Sequence, residues 1–489
     1  MLNNLIKRFK DPDGLRGKTL VAAFWSLIGS VGRGGIRLTS NLLLTRILIP
    51  EDFGLMATAM VVVTLIQVFS DTGVKTALVQ NPRGHEPAFI NNSFIIAMGR
   101  SAILFTLLML TKTPMANYYN LPELASILTI LSVAIILEGF LNPALPILIK
   151  SLDLKKQVTY AVGSQFIGFV FTLILALTYR SVLALAVGYT LTSLSRLVIS
   201  YLVYPYRPRF TWDAAVGKEL FHFGKYILLN TLVTWTALNI DRLIIGKVLG
   251  MDQLGIYNIA LYLGVFASDI LVQVFAQSYF PAMSSIAHDF HKVTRIYAQT
   301  VRSTILIATP ILLALAFLSD SVIEVLYDSR YELAGTVLFW IALRSVIQTL
   351  NHIQSGTLLA LGKPLQVTIG NAIGLIILAV TLPSFSTLWG LAGSGIALLL
   401  NMFVMTAIQS VFLVKTVKFP VRLVLKPWLH MAAITVGFSG IALLLIGVTE
   451  FILANYSAWV LLPLSQLLIL ILFLTKGPAM RVLNFKGNA

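Results

Sequence analysis

Twelve ionisable side chains interrupt stretches of sequence that are otherwise apolar: Arg33, Arg37, Asp71, Lys75, Arg100, Glu138, Arg196, Lys225, Asp241, Arg242, Asp269 and Arg344. On insertion scales each costs about 3 kcal/mol at the centre of a lipid-facing helix. Twelve such costs far exceed the ~5 to 15 kcal/mol that holds a protein folded, so these groups must face one another or a wet cavity. Eight are basic and four acidic, so complete pairing still leaves about four positive charges. Guanidinium groups in a partly dry cavity suit a phosphate or diphosphate, because their planar fork offers several donors to oxygen.

Spacing assigns faces to these residues. Ser26, Ser30, Arg33, Arg37, Asn41 and Thr45 recur at three or four residues and form one polar stripe on a helix. Thr64, Gln67, Asp71 and Lys75 repeat the pattern, the last two at i,i+4 where they can pair. Asn258, Tyr262, Asp269, Gln273 and Gln277 form a third stripe, and Arg344, Gln348, His352 and Ser355 a fourth. Arg33, Arg37, Asn41, Arg100, Arg196 and Arg344 are therefore the candidate anion-binding residues. Asp71, Lys75, Glu138, Asp269 and His352 are the candidates for ion pairing or ion coupling. For Lys75, Lys225, Asp241 and Arg242, near expected helix ends, snorkelling to a headgroup is an equally good reading. His352 lies on a polar stripe where it could titrate, and a buried histidine without that role fits its position too.

The elements that position these residues follow from composition. The chain of 489 residues is 57% hydrophobic and 11% charged with a mean hydropathy of +0.85, whereas a soluble domain carries about a quarter charged residues. Uncharged runs of the length needed to cross ~30 Å of hydrocarbon recur throughout. The ~10-residue alternation of a membrane β-barrel is not seen. The expectation is an all-α polytopic membrane protein with fourteen spans at about 19–47, 53–79, 88–111, 122–149, 156–178, 181–204, 220–246, 254–281, 300–318, 331–360, 364–381, 388–414, 427–448 and 453–475. These group as a basic N-terminus (1–18), a six-helix bundle (19–204), a linker (205–219), a second six-helix bundle (220–414), peripheral helices thirteen and fourteen (427–475) and a tail (476–489). About 23 Lys and Arg residues fall at the termini and in alternate loops, which places both termini in the cytoplasm.

An internal repeat supports the division. Residues 45–60 (TRILIPEDFGLMATAM) align without gaps on 246–261 (GKVLGMDQLGIYNIAL), matching Leu48 to Leu249, Gly54 to Gly255 and Ala59 to Ala260. Gln157-Val158-Thr159 matches Gln366-Val367-Thr368 at a similar separation. The copies lie six spans apart, so they share one orientation, and the charged stripes are expected to line a cavity between two halves.

Other chemistries find little support. The chain has no Cys, which removes disulfides, thiol nucleophiles and Cys-ligated clusters. Its six histidines lack metal-site spacing, and no cofactor is implied. The +16 formal charge has no soluble basic domain to carry nucleic acid. Gly17-Lys18-Thr19 resembles the end of a phosphate loop, but Pro12 occupies the position of its first glycine. The cluster Gly29 to Gly35 suits close helix packing or a kink. Pro143, Pro146, Pro281 and Pro310 are expected to interrupt or bound spans as hinges.

The segments SNLLLTRILIPEDFGLMATAMVVVTLIQVFSDTGVKTALVQ (40–80), YRPRFTWD (206–213) and FHFGKYILLNTLVTWTALNIDRLIIGKVLGMDQLGIYNIA (221–260) resemble the Wzx-type polysaccharide flippases. These belong to the multidrug/oligosaccharidyl-lipid/polysaccharide superfamily, and the likeness is strongest to the colanic-acid-exporter-like branch. The resemblance implies two six-helix bundles plus two peripheral helices working by alternating access. It implies an undecaprenyl-pyrophosphate-linked oligosaccharide as cargo, moved from cytoplasmic to periplasmic leaflet and driven by an ion gradient or membrane potential. Besides the cargo and membrane lipid, it implies a polysaccharide polymerase and a chain-length regulator as partners. It transfers no site residue by residue. Rival readings are a drug/cation antiporter of the same superfamily, a membrane polymerase or acyltransferase, and a major-facilitator carrier. The excess of in-span Arg argues against the first, the lack of a large loop or His/carboxylate pair against the second, and the two extra spans against the third.

Overall fold

The computed structural model describes residues 15–68, 78, 83–150 and 153–452; within these, side chains are described for all but 15–24, 26, 27, 149, 150, 154, 219, 221–234, 237, 269–278, 280–282 and 441–452. Asp71, Lys75, the expected fourteenth span and the tail lie outside the described residues, as do the side chains of Lys225 and Asp269.

Among the described residues the chain is helical with no strand. The long helices are α1 (Leu15–Ile47), α2 (Pro50–Val68), α3 (Pro87–Tyr119), α4 (Pro122–Gly139), α5 (Leu154–Tyr179), α6 (Val182–Val203), α7 (Ala214–Val248), α8 (Met251–Ser285), α9 (Phe290–Phe317), α10 (Leu333–Ala360), α11 (Pro364–Lys415) and α12 (Val421–Ile452). Nine of the helices in the described residues are long and apolar enough to cross a membrane. Proline opens α2, α3, α4 and α11, where its missing N–H costs no helical hydrogen bond. Asp153, Ser181 and Asp289 cap α5, α6 and α9 by accepting from Lys156, Leu183 and Lys292 backbone N–H groups.

Two expectations are corrected at prolines. The eleventh span was expected to end at 381, before Pro383, but α11 runs on through that proline. Its real break lies at Trp389 and Gly390, where Gly390 has φ 58° and ψ −139°, a conformation open only to glycine. Pro310 sits inside the continuous helix α9 and α8 runs past position 281, so neither interrupts its helix. Pro143 does occupy a break, at 140–144 between α4 and the short helix Leu145–Lys150. That break is tied down by Asn142, 2% exposed, whose amide donates to the Tyr204 and Ser200 carbonyls while its oxygen accepts from the Ala144 N–H. Asn142→Ala removes these ties and leaves the Ala144 N–H without its acceptor, while the Ser200 and Tyr204 carbonyls keep the backbone N–H groups of Tyr204 and Tyr206. It is expected to lower stability by about 1 to 3 kcal/mol, read as a drop in Tm of the detergent-solubilised protein.

Internal contacts divide the chain into two units, Met1–Leu243 and Ile244–Ala489, with the division inside α7. The repeat is visible in where helices break: α1 ends at Ile47 and α2 begins at Pro50, while α7 ends at Val248 and α8 begins at Met251, the same positions in the aligned copies.

In the first unit, Leu55, Ala59 and Val63 of α2 pack with Leu104 and Leu108 of α3, Leu124, Leu128 and Leu131 of α4, and Val182 and Ala186 of α6. Gly29 and Gly32 of α1 lie against Val158 and Val162 of α5, so this part of the glycine cluster serves close packing. Helices α5 and α6 interlock reciprocally. A Cβ at Gly168 would fall 1.9 Å from the Thr192 hydroxyl, and one at Gly188 would fall 2.1 Å from that of Thr172. Each threonine also donates back to its own helix, Thr172 to the Gly168 carbonyl and Thr192 to that of Gly188, both at 2.8 Å.

The second unit is held differently. Helix α10 and the later part of α11 share a buried polar seam: Asn351 to Thr406 at 3.2 Å, Gln354 to Ser410 at 2.8 Å and Ser355 to Gln409 at 2.8 Å. Interhelical hydrogen bonds of this kind fix register where lipid supplies no hydrophobic drive. Helix α12 lies on α9 through Phe438 stacked on Phe317 at 5.9 Å.

Candidate functional site

Four of the in-span charges meet in one pocket of the first unit. Arg33 from α1, Arg100 from α3, Glu138 from α4 and Arg196 from α6 line a cavity of about 300 Å³, with Gln67, Ser101, Tyr160 and Gln165 completing its polar wall. A volume of this order is at the lower end of small-molecule sites. Three guanidiniums and one carboxylate give the lining a formal net charge of +2.

The hydrogen bonds show how the pocket is organised. Gln67, in the last turn of α2, is the organiser: its amide donates to Glu138 Oε2 at 3.2 Å, and its main-chain carbonyl accepts from Arg100 Nη2 at 3.1 Å. Gln165 on α5 donates to the main-chain carbonyl of Arg33 at 3.3 Å, joining the first and fifth helices. Glu138 Oε1 stands 3.9 Å from Arg196 Nη1, with side chains 30% and 38% exposed. At that length and exposure the pair is loose, worth at most ~1 kcal/mol, and a diphosphate could displace the carboxylate from the guanidinium. Among the described residues no carboxylate lies within ion-pair distance of Arg33.

The remaining expected residues lie elsewhere. Arg37 shares the stripe with Arg33 but is exposed and outside the pocket, and Asn41 is half-buried, its carbonyl accepting from Thr45 at 2.9 Å. In the second unit Arg344 is half-buried on α10, and His352 is exposed with Nε2 3.3 Å from the Gln348 amide. Asp241 is 7% exposed on α7, where Oδ1 accepts from the backbone N–H of Arg242 at 2.9 Å. Sequence reasoning expected a cavity between two halves; the pocket formed by these four charges is lined entirely by residues of the first unit. It also passed over Ser101, Tyr160 and Gln165, neutral residues in strongly apolar helices. The run Tyr160, Ser164, Gln165 on one side of α5 was the signal available.

Replacing Glu138 with glutamine keeps a hydrogen-bonding partner for Gln67 and raises the lining charge to +3. In a half-wet pocket one neighbouring charge is worth about 1 kcal/mol, so Glu138→Gln is expected to bind inorganic pyrophosphate roughly fivefold more tightly at low salt. Isothermal titration of the solubilised protein checks this.

Several helices long and apolar enough to cross a membrane, three of which contribute with α1 the charges of one pocket with a formal charge of +2, define a polytopic membrane protein. The chain belongs to the family described as polysaccharide biosynthesis protein, which matches residues 43–336. It is similar to the succinoglycan biosynthesis transport protein ExoT of Rhizobium meliloti (strain 1021), 25% identical over 66% of this chain and 66% of that protein. It is also similar to the lipopolysaccharide biosynthesis protein WzxC of Escherichia coli (strain K12), 23% identical over 65% of each. The chain thus spans just under two thirds of the length of these curated relatives. Its fold matches that of the lipid II flippase MurJ in an inward closed conformation, with a TM-score of 0.69 at 15% identity over 92% of this chain and 98% of that one.

Proposed function

We propose that this protein is a flippase that moves an undecaprenyl-pyrophosphate-linked oligosaccharide from the cytoplasmic to the periplasmic leaflet during surface polysaccharide synthesis. The observation that carries the reading is the +2 pocket of Arg33, Arg100, Arg196 and Glu138 inside helices of a flippase-like fold. A diphosphate is the part of such a cargo that three guanidiniums can hold, and the loose Arg196–Glu138 contact provides a place for it to enter. The cargo leaves chemically unchanged, so the protein acts as a carrier and not as an enzyme.

In this reading the chain has fourteen spans. Two six-helix bundles (19–204 and 220–414) alternate in access, a peripheral pair (427–475) lies beside them, and both termini are cytoplasmic. The relatives' printed roles in succinoglycan and lipopolysaccharide biosynthesis support a polysaccharide pathway, with a polymerase and a chain-length regulator acting downstream. A bacterial inner membrane is the matching location. Arg37, Asn41 and Arg344 extend the cationic path, while Asp71, Lys75, Glu138, Asp269 and His352 serve pairing or coupling to an ion gradient or membrane potential. A drug/cation antiporter is disfavoured because a +2 lining repels a cationic solute.

Deleting the gene and fractionating lipid-linked intermediates tests the proposal. The expected result is accumulation of the diphosphate-linked oligosaccharide in the cytoplasmic leaflet; unchanged intermediates with normal surface glycan would contradict it.

A further inference from the structure

The ten residues 204–213 joining α6 to α7 are held in a defined shape. Two asparagines near the start of α3 do this, Asn91 at 4% and Asn92 at 0% exposure. The Asn91 oxygen accepts from the Tyr206 hydroxyl and from the Arg209 backbone N–H, both at 3.0 Å, and its amide donates to the Thr211 hydroxyl at 3.0 Å. The Asn92 oxygen accepts from the Asp213 backbone N–H at 3.2 Å. Phe210 stands 5.7 Å from Phe94, and Trp212 packs so close to Gly217 that a Cβ there would come within 2.6 Å of the indole.

What this moulded segment presents outward is unusual for a polar loop. Phe210 is 74% exposed and Trp212 52% exposed, with Arg207 and Arg209 exposed beside them. The acid of the segment, Asp213, is exposed but engaged along the chain: its Oδ1 accepts from the backbone N–H groups of Ala215 and Val216 at 2.9 and 3.3 Å, capping α7. Arg207 and Arg209 outnumber this one helix-capping acid, so the exposed charge of the segment is positive. The segment also sits where the apolar helix α6 ends and α7 begins, which puts it at the edge of the hydrocarbon.

We propose that residues 206–212 form an interfacial platform that binds anionic phospholipid headgroups. Arg207 and Arg209 pair with the lipid phosphates, and Phe210 and Trp212 seat in the headgroup layer, where amphipathic and aromatic rings are favoured. The hydrogen bonds from Asn91 and Asn92 supply the rigidity, so little order is lost when lipid binds.

The chain contains no Cys, so Ala215→Cys, at an exposed position next to the platform, gives a single labelling site. The full-length protein carrying an environment-sensitive fluorophore there is placed in phosphatidylcholine nanodiscs with a minor fraction of brominated phosphatidylglycerol or brominated phosphatidylcholine. Two arginines at a phosphate surface lead us to expect quenching by the anionic lipid favoured about 30-fold at low salt, collapsing at high salt. The pair Arg207→Gln and Arg209→Gln should bring the two lipids to parity, whereas Arg207→Lys with Arg209→Lys keeps most of the preference. Equal quenching by both lipids in the otherwise unaltered protein, or a preference that survives both glutamine substitutions, would overturn the proposal.

Discussion

Exchanging Arg33, Arg100 and Arg196 together for glutamine is expected to lower translocation more than about 100-fold while the protein still inserts and folds. Each guanidinium offers charge-assisted hydrogen bonds worth about 1.5 to 3 kcal/mol to an anion. Even discounted for the 38% exposure of the Arg196 side chain, the three together exceed about 3 kcal/mol, which is more than two powers of ten in rate. Folding survives because the lining is half-exposed and the network keeps its organiser: Gln67 still donates to Glu138 after all three changes. The measure is the rate at which lipid-linked oligosaccharide leaves the cytoplasmic leaflet, set against the amount of monodisperse protein recovered. Arg37→Gln is the informative comparison. Arg37 extends the proposed cationic path but is exposed and does not line the pocket, so its loss is expected to lower the rate only about threefold, far less than loss of the pocket arginines.

The second large effect is on stability. Gly168→Val with Gly188→Val places three-carbon branched side chains where the Thr192 and Thr172 hydroxyls already stand within 1.9 and 2.1 Å of an added Cβ. Those hydroxyls cannot swing away freely, since each is β-branched and bonded to the carbonyl four residues back in its own helix. Helices α5 and α6 must therefore separate. Overpacking costs about 1 to 3 kcal/mol at a single site, and two sites on one interface act on the same separation. Much of the stability of a marginal fold is lost, and the expected outcome is a sharp fall in Tm and in folded yield. Gly99→Val, where an added Cβ meets nothing within 4 Å, should leave both nearly unchanged. Equal behaviour of the two variants would show that close approach of α5 and α6 is unimportant.

Much of this architecture was legible from hydropathy and punctuation. The apolar runs located the long helices, and openings at Pro87, Pro122 and Pro364 coincide with expected boundaries, but α3 runs on to Tyr119 past the expected 111 and α4 ends at Gly139 short of the expected 149. The errors have separate causes. The expected eleventh span stops at 381, yet a proline deep in an apolar helix can be absorbed, as Pro383 is, and the chain turns at Gly390 because only glycine takes the required backbone angles. The ninth helix was expected from 300 but starts at Phe290, since its polar first turns, capped by Asp289, carry no hydrophobic signal.

The pocket was half legible for a comparable reason. Charges inside apolar runs must be sheltered, which singled out Arg33, Arg100, Glu138 and Arg196, and these four do meet. A stripe, however, assigns a helix face and not a depth. Arg37 follows Arg33 on the same stripe, but one turn moves it about 6 Å along the axis and out of the cavity. Gln165 and Tyr160 were invisible because a neutral side chain costs too little in an apolar helix to demand explanation. Gln67 appeared as one more stripe residue, and only its bonds to both Glu138 and Arg100 reveal that it arranges the site.

The proposed function requires the pocket to grip the diphosphate of the cargo. The most direct test reconstitutes the protein in vesicles and follows the same fluorescent oligosaccharide on two polyprenyl lipids, one joined through a diphosphate and one through an uncharged link. The diphosphate-linked cargo is expected to cross at least tenfold faster, an advantage that disappears when Arg33, Arg100 and Arg196 are replaced. Equal rates for the charged and uncharged cargo in the unaltered protein would contradict the proposed function.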